Sequence, residues 1–360
     1  MTRRLLTHLA LSLLVLVFAF PALASRRRAS RSPILYPQCS MITGTGAVTF
    51  TRDEGATLAP AAESMSPIAY TWGVVALDEP DTLLAWHDSD LLLSKDGGCS
   101  WRVAAHIEGW DFPPTLTAAK GGRAYAWSEN RQFLYRYDAR GAVSLKQPVP
   151  FMGVGVDPAN GDRLRAGGDD GSVWESVDAG QTWTHIGALT GPVGFYRFAF
   201  DPANLDHVIA GTVVAGAHVS RDGGKTWTRA TGLGTRSTNV FNIVFSPVDS
   251  NRAWAMGIDL DTSGRHIYVS SDGGESWQIA LTERPGVKLI NGPIMAAHPT
   301  NRDTLYFIFG THFQGYGTDV FRLDLARGLT VTHNDHDGVN AIAFSRRDPN
   351  VMYLGLEKIN

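Results

Sequence analysis

An eight-residue phrase, Ser-x-Asp-x-Gly-x-Thr/Ser-Trp, constrains this chain more than any other feature, because it recurs along most of the sequence. Full copies run from Ser94 to Trp101, Ser176 to Trp183, Ser220 to Trp227 and Ser270 to Trp277. A weaker copy, Thr51 to Leu58, ends in Leu instead of Trp. Each copy closes a run of alternating apolar residues, such as Ala217-His218-Val219, and is followed by more strand-like sequence. That is the signature of a tight turn between antiparallel strands. The Asp carboxylate accepts hydrogen bonds from N–H groups a few residues on, the Gly supplies a backbone angle that side chains resist, and the Trp returns as an apolar plug. The phrase therefore builds a hairpin before it does anything else.

A second phrase precedes each copy: a short apolar strand, a Pro/Asn turn and another apolar strand. Examples are Phe198 to Asn204 leading into Val208 to Thr212, and Val154 to Asn160. Both phrases keep one spacing, since Asp157 to Asp201 is 201 − 157 = 44 residues and Asp178 to Asp222 is 222 − 178 = 44. Four strands per repeat of this length make a propeller blade. Two further blades carry degenerate turns, at Tyr137 to Gly141 and Leu323 to Gly328. After Val339 to Gly355 the chain supplies only half a blade, and Ala47 to Leu58 supplies the other half. The fold expected is all-β: a single seven-bladed β-propeller of four-stranded blades, with the last blade shared between N- and C-terminal strands. Such sharing closes the ring and removes open sheet edges.

The phrase resembles the Asp-box, or bacterial neuraminidase repeat, of sialidases, two-domain xyloglucanases, the sortilin ectodomain and the photosystem II stability factors. The resemblance implies that the boxes lie on outer turns of the blades, away from the binding face. Asp53, Asp96, Asp178, Asp222 and Asp272, with Trp101, Trp183, Trp227 and Trp277, are thus structural. A single ring of this length looks most like the stability-factor type, which implies a protein- or glycan-binding or assembly module. The competing reading is a carbohydrate-active enzyme of the exo-glycosidase, sialidase or xyloglucanase kind. The sialidase Arg-Ile-Pro motif is absent, so Arg197, Arg236 and Arg302 cannot be assigned to a carboxylate-binding triad. The xyloglucanase cleft needs two facing propellers, and one ring supplies only one.

Residues 1–24 read as a signal peptide: Arg3 and Arg4, an apolar run from Leu9 to Phe20, then Ala22-Leu23-Ala24. A retained anchor is the alternative. Residues 25–39 form a basic linker and residues 40–360 the propeller. The expected location is secreted or periplasmic. Without the leader and the four linker arginines, 32 basic residues fall to 32 − 2 − 4 = 26 against 35 acidic ones, leaving the body at −9. An acidic body disfavours nucleic acid. Cys39 and Cys99, the only cysteines, are a candidate disulfide after export or two buried thiols.

Asp259 to Gly264 has the opening of a calcium loop, but Ser270 stands where a later acid is needed. His333 to Gly338 holds metal-capable side chains within an ordinary turn composition. No metal and no cofactor is expected, and the chain is read as a monomer. Function is expected at the face opposite the boxes, in the links between blades. The candidate ligand-binding residues there are Trp72, Trp110, Tyr196, Arg197, Arg236, Asn242, Asn291 and Asp337. Aromatic, Arg and Asn side chains around a channel mouth suit a protein segment or a glycan.

Overall fold

The second strand of each repeat is its most apolar, and packing explains why. Leu83–His87 and Leu164–Gly168 are buried at every position. Asn204–Thr212 and Asp249–Asp259 are buried along most of their length. A strand covered on both faces by neighbouring sheets loses the alternation of a half-exposed strand. The fourth strands, Arg102–His106 and Thr184–Ala188, have no buried position.

The computed structural model describes residues 48–51, 59–60, 71–107, 114–128, 131–234, 237–289, 294–309, 318–335 and 338–357. All belong to one unit, Tyr36–Asn360. Among these residues every named element is a strand. Blade 1 spans Thr71 to His106, blade 2 Thr115 to Ser144, and blade 3 Phe151 to Ala188. Blade 4 spans Phe195 to Arg229, blade 5 Thr238 to Thr282, and blade 6 Met295 to Asp335. In each, four antiparallel strands follow one another in sequence order.

The remaining sheet joins the two ends of the described chain. Val48–Thr51 pairs with Met352–Glu357, with Val48 opposite Gly355 and Thr51 opposite Met352. Its outermost strand is only Ala59–Pro60. The expectation of seven regular blades is therefore corrected: six blades are complete, and the sheet at the seam is a partial seventh. Leu58 stands where the full boxes have Trp, and Pro60 has no N–H to give a ladder, so this outer edge lacks what extends it elsewhere. Asp53 and the other box residues after Thr51 lie outside the described residues, as do the leader and the basic linker.

The apolar core lies between blades. Ile209, Ala217 and Val219 of blade 4 pack with Val240, Ile243 and Ala253 of blade 5. Inner strands approach so closely that a Cβ on Gly153 would lie 1.9 Å from the Phe198 carbonyl oxygen, so only Gly fits.

The four full boxes share the hydrogen bonds among their Ser, Asp and Gly, and three of them add one from the Trp indole. Ser220 donates to Asp222 Oδ1 at 2.8 Å and accepts from Gly224 N at 2.8 Å. Asp222 Oδ1 accepts from Lys225 N and Thr226 N, and Oδ2 from the Thr226 hydroxyl at 2.6 Å. Trp227 Nε1 donates to Gly224 O at 3.0 Å. Trp101 and Trp277 repeat that last bond to Gly98 and Gly274, and are buried; Trp183 and Trp227 are half-buried. The paired left-handed residues are Gly223 and Gly224 here, and Ala179 and Gly180 in blade 3. The degenerate blades use short Asx turns, with Asp138 accepting from Arg140 N and Asp324 from Ala326 N and Arg327 N.

The box also ties blades together. The carbonyl of its first Gly accepts a hydrogen bond from the second strand of the preceding sheet. Tyr353 reaches Gly97 at 2.8 Å, Arg165 reaches Gly223 at 3.0 Å, and His207 reaches Gly273 at 2.8 Å. Cys99, inside the blade 1 box, is disulfide-bonded; the chain's other cysteine, Cys39, lies outside the described residues.

The boxes make stability depend on acid. The Thr182 hydroxyl and N–H, with the Ser176 hydroxyl, hold Asp178 down at about 2. For Asp222, burial pushes upward but is outweighed by the Thr226 hydroxyl and N–H, again giving about 2. A folded carboxyl depressed below its unfolded value of about 3.9 contributes stability that is complete above that value and lost as pH falls through the folded one. The melting temperature should therefore fall between about pH 4 and pH 2. In the Asp178→Asn, Asp222→Asn double variant it should fall less steeply. Equal slopes in thermal melts of the two proteins would exclude the boxes as the source.

Candidate binding site at the loop face

Strand direction sorts the turns into two faces. Boxes and Pro/Asn turns share one face. The links between blades and the turns joining second to third strands share the other, the loop face. Each inner strand begins at the loop face, and there the ladder is irregular in five sheets. The register skips a residue between Thr71 and Gly73, Phe151 and Gly153, Phe195 and Arg197, Val240 and Asn242, and Val339 and Ala341. The skipped residues are Trp72, Met152, Tyr196, Phe241 and Asn340, all half-buried. A bulge bends its strand and re-aims the extra side chain. It occurs in five of the seven sheets, at the loop-face end of the inner strand, and most of the side chains concerned are aromatic or Met; Trp72, Met152 and Phe241 pack against the clusters between blades.

Neighbouring members touch: the Tyr196 and Phe241 ring centroids are 4.4 Å apart, tilted by 45°. Arg197, next to Tyr196, places its guanidinium carbon 5.3 Å from the Trp127 ring centroid. Arg197 is in blade 4 and Trp127 in blade 2, so this contact passes over the mouth side of blade 3. A cation over a desolvated indole is held by about 1–2 kcal/mol. Asn242 Oδ1 accepts from Ile243 N at 2.8 Å, and Asn239 Oδ1 from Val214 N at 2.8 Å. These two amides secure the backbone of the bulge and of a neighbouring turn.

Of the eight residues expected at the site, Trp72 and Tyr196 occupy the same bulge position in different blades, and Arg197 and Asn242 share the position after it. Trp110, Arg236, Asn291 and Asp337 lie outside the described residues, as does His336 of the possible metal turn. Asp259 Oδ1 accepts from Asp261 N at 3.1 Å, so the calcium-like stretch is a hairpin tip. Sequence reasoning missed Met152 and Phe241, although a signal was present. Met152, Tyr196 and Phe241 each stand six residues before a turn proline (158 − 152, 202 − 196, 247 − 241).

It also passed over the turns between second and third strands. Their left-handed positions are Asp88, Gly171, Val214 with Gly216, and Ser263. Acids are exposed at three of these tips: Asp88, Asp169 with Asp170, and Asp261.

With this geometry in hand, comparison with known proteins places the chain. The dispase autolysis-inducing protein of Streptomyces mobaraensis is 46% identical over 358 residues, covering 96% of this chain and 95% of that protein. The chain belongs to the family of that protein. The Sortilin-Vps10 family model, described as sortilin, neurotensin receptor 3, matches residues 215–350. Among solved structures, YCF48 bound to D1 peptide aligns at a TM-score of 0.54 and 13% identity, over 81% of this chain and 94% of that one. That likeness supports the single-ring β-propeller fold. The xyloglucanase of Xanthomonas campestris aligns at a TM-score of 0.43 and 15% identity, over 73% of this chain and 54% of that one.

Proposed function

We propose that this chain is an exported protein-binding propeller whose channel mouth grips a segment of a protease of the dispase type and thereby promotes that protease's self-digestion. The full-length likeness to the dispase autolysis-inducing protein carries the reading. The bulge ring supports it, because Tyr196, Phe241 and Arg197 combine apolar area with charge at one mouth. YCF48, of the same fold, was solved with a peptide bound.

Promotion of autolysis needs no catalytic group on the propeller. One protease molecule can cut another only where a segment opens from the folded surface, and such local openings are rare, low-lying excursions. A protein that binds the opened segment better than the closed one raises its population. The mouth supplies that differential contact, and the rigid ring loses little entropy in making it.

The mature protein recovered from the medium should begin at Ser25 and shorten the lifetime of intact dispase in a time course followed by gel and intact mass. Tyr196→Ala and Arg197→Ala should weaken this effect severalfold while keeping the wild-type melting temperature within a few degrees. A wild-type protein without effect on dispase would reject the protease reading. An undiminished effect in both variants would move the contact away from the mouth.

A further inference from the structure

On blade 4 the turn between second and third strands breaks the pattern of its neighbours. Ala215 N donates to Val213 O at 2.8 Å, closing a three-residue γ-turn with Val214 at its centre and φ +56°. Positive φ marks the rare, strained form of this turn, and a β-branched residue is the poorest choice for it. The residue just before the third strand is Gly216 here, at φ +74°, where blades 3 and 5 have Gly171 and Ser263, so Val214 is an additional left-handed residue.

The strain at Val214 is over-determined by its surroundings. Val213 N donates to Gly194 O, Thr238 N to Val214 O, and Val214 N to Asn239 Oδ1. Strain that a structure holds in place this firmly is typical of functional surfaces. What it presents is apolar: Val214 is 39% exposed, with Val193 at 80% in the link beside it and Leu260 at 40% on the next tip. Leu260 N in turn donates to Ser237 O, so the three stand on one bonded stretch of the rim, outward of Tyr196 and Phe241.

Acids flank this apolar stretch on both sides. Asp169 and Asp170 are exposed on the blade 3 tip and Asp261 on the blade 5 tip. Burial and the Asp170 charge push the Asp169 carboxyl above its ordinary range, a repulsion that a nearby cation would relieve. Of the Lys and Arg groups of blade 4, Arg197 lies over Trp127 and Arg221 and Lys225 stand in the box turn, while Arg229 lines a cavity with Gly216, Leu233 and Thr238 beside the Val214 turn.

We infer that the Val193, Val214 and Leu260 rim, flanked by Asp169, Asp170 and Asp261, docks an extended protein segment that carries an apolar side chain between basic ones. This rests on the protein-binding reading of the loop face and specifies the chemistry of what is bound there.

The test is selection of a displayed library of random dodecapeptides on the full-length mature protein, followed by binding titrations of an enriched peptide. Enrichment of apolar residues flanked by Lys or Arg is expected. Val214→Gly should bind the enriched peptide at least tenfold more weakly while melting at a higher temperature, because Gly relieves the strained φ. Asp170→Asn with Asp261→Asn should abolish the preference for basic flanks. Enrichment of acidic sequences, or no enrichment, would overturn the inference, as would unchanged affinity or a lower melting temperature in Val214→Gly. Binding lost in Tyr196→Ala but retained in Val214→Gly would overturn this inference and leave the mouth reading standing.

Discussion

Trp277→Ala should cost about 3–5 kcal/mol, the range for truncating a buried aromatic. Trp277 is 3% exposed and packs among Val219, Ala230 and Ile243, so the cavity would open between blades 4 and 5. Its indole also gives its N–H to Gly274 O at 2.8 Å, and that carbonyl belongs to the turn whose Gly273 receives His207. At about 1.4 °C per kcal/mol for a chain of this size, the melting temperature should fall by roughly 4–7 °C. Trp227→Ala makes the control, since Trp227 is only half-buried, packing edge-on against Phe198 with centroids 6.0 Å apart. It should lose distinctly less. Equal losses in calorimetry would mean that the boxes contribute as turns alone, and that the depth of the Trp plug does not matter.

Deleting residues 338–360 should abolish the monodisperse folded state. The deletion removes Val351, Met352, Tyr353 and Leu354, each at most 1% exposed. At about 1.5–3 kcal/mol for each buried apolar side chain, these four represent roughly 6–12 kcal/mol. That is comparable with the whole stability of an ordinary domain, about 5–15 kcal/mol. The loss falls on both sides of the seam. Val74, Leu83, Leu92 and Trp101 lose the cover of Ala341, Ala343, Val351 and Tyr353. Arg346 Nε no longer reaches Ala76 O, at 3.0 Å, nor Arg347 the Asp81 carboxylate, at 2.6 Å. Val48–Thr51 is left as an open edge, a template for other chains. Light scattering on the truncated protein should find aggregates. A monomer with the full-length melting temperature would show that the seam is dispensable.

Most of the architecture was legible because it repeats. Turn chemistry at Asp178 and Asp222 recurs at the interval of the Pro turns, and two periodic markers bound each blade closely. The pairing of the two chain ends was legible from arithmetic, since half a blade was left over at each end. The regularity of that last sheet was not, because the length of an outer strand depends on packing that Thr51 to Pro60 does not spell out. The site was less legible still. Trp72 and Tyr196 stood out as large residues near a link, whereas Met152 and Phe241 read as ordinary strand interior. A bulge is a property of the ladder between two strands, and a single strand carries little sign of it. Val214 was hidden for a sharper reason: Val-Val after Thr212 reads as continuing strand, and local propensity opposes the turn that tertiary hydrogen bonds impose.

The seam has a practical side. Val48, opposite Gly355, and Glu357, opposite Gly338, both stand at the loop-face end of their sheet. Cargo spliced to either strand is thereby delivered to the rim of the mouth, beside whatever the mouth holds. Reconnecting the ends and reopening the ring at a Pro/Asn turn, such as Pro247 to Asp249, would carry such attachments to the opposite face and leave the mouth clear.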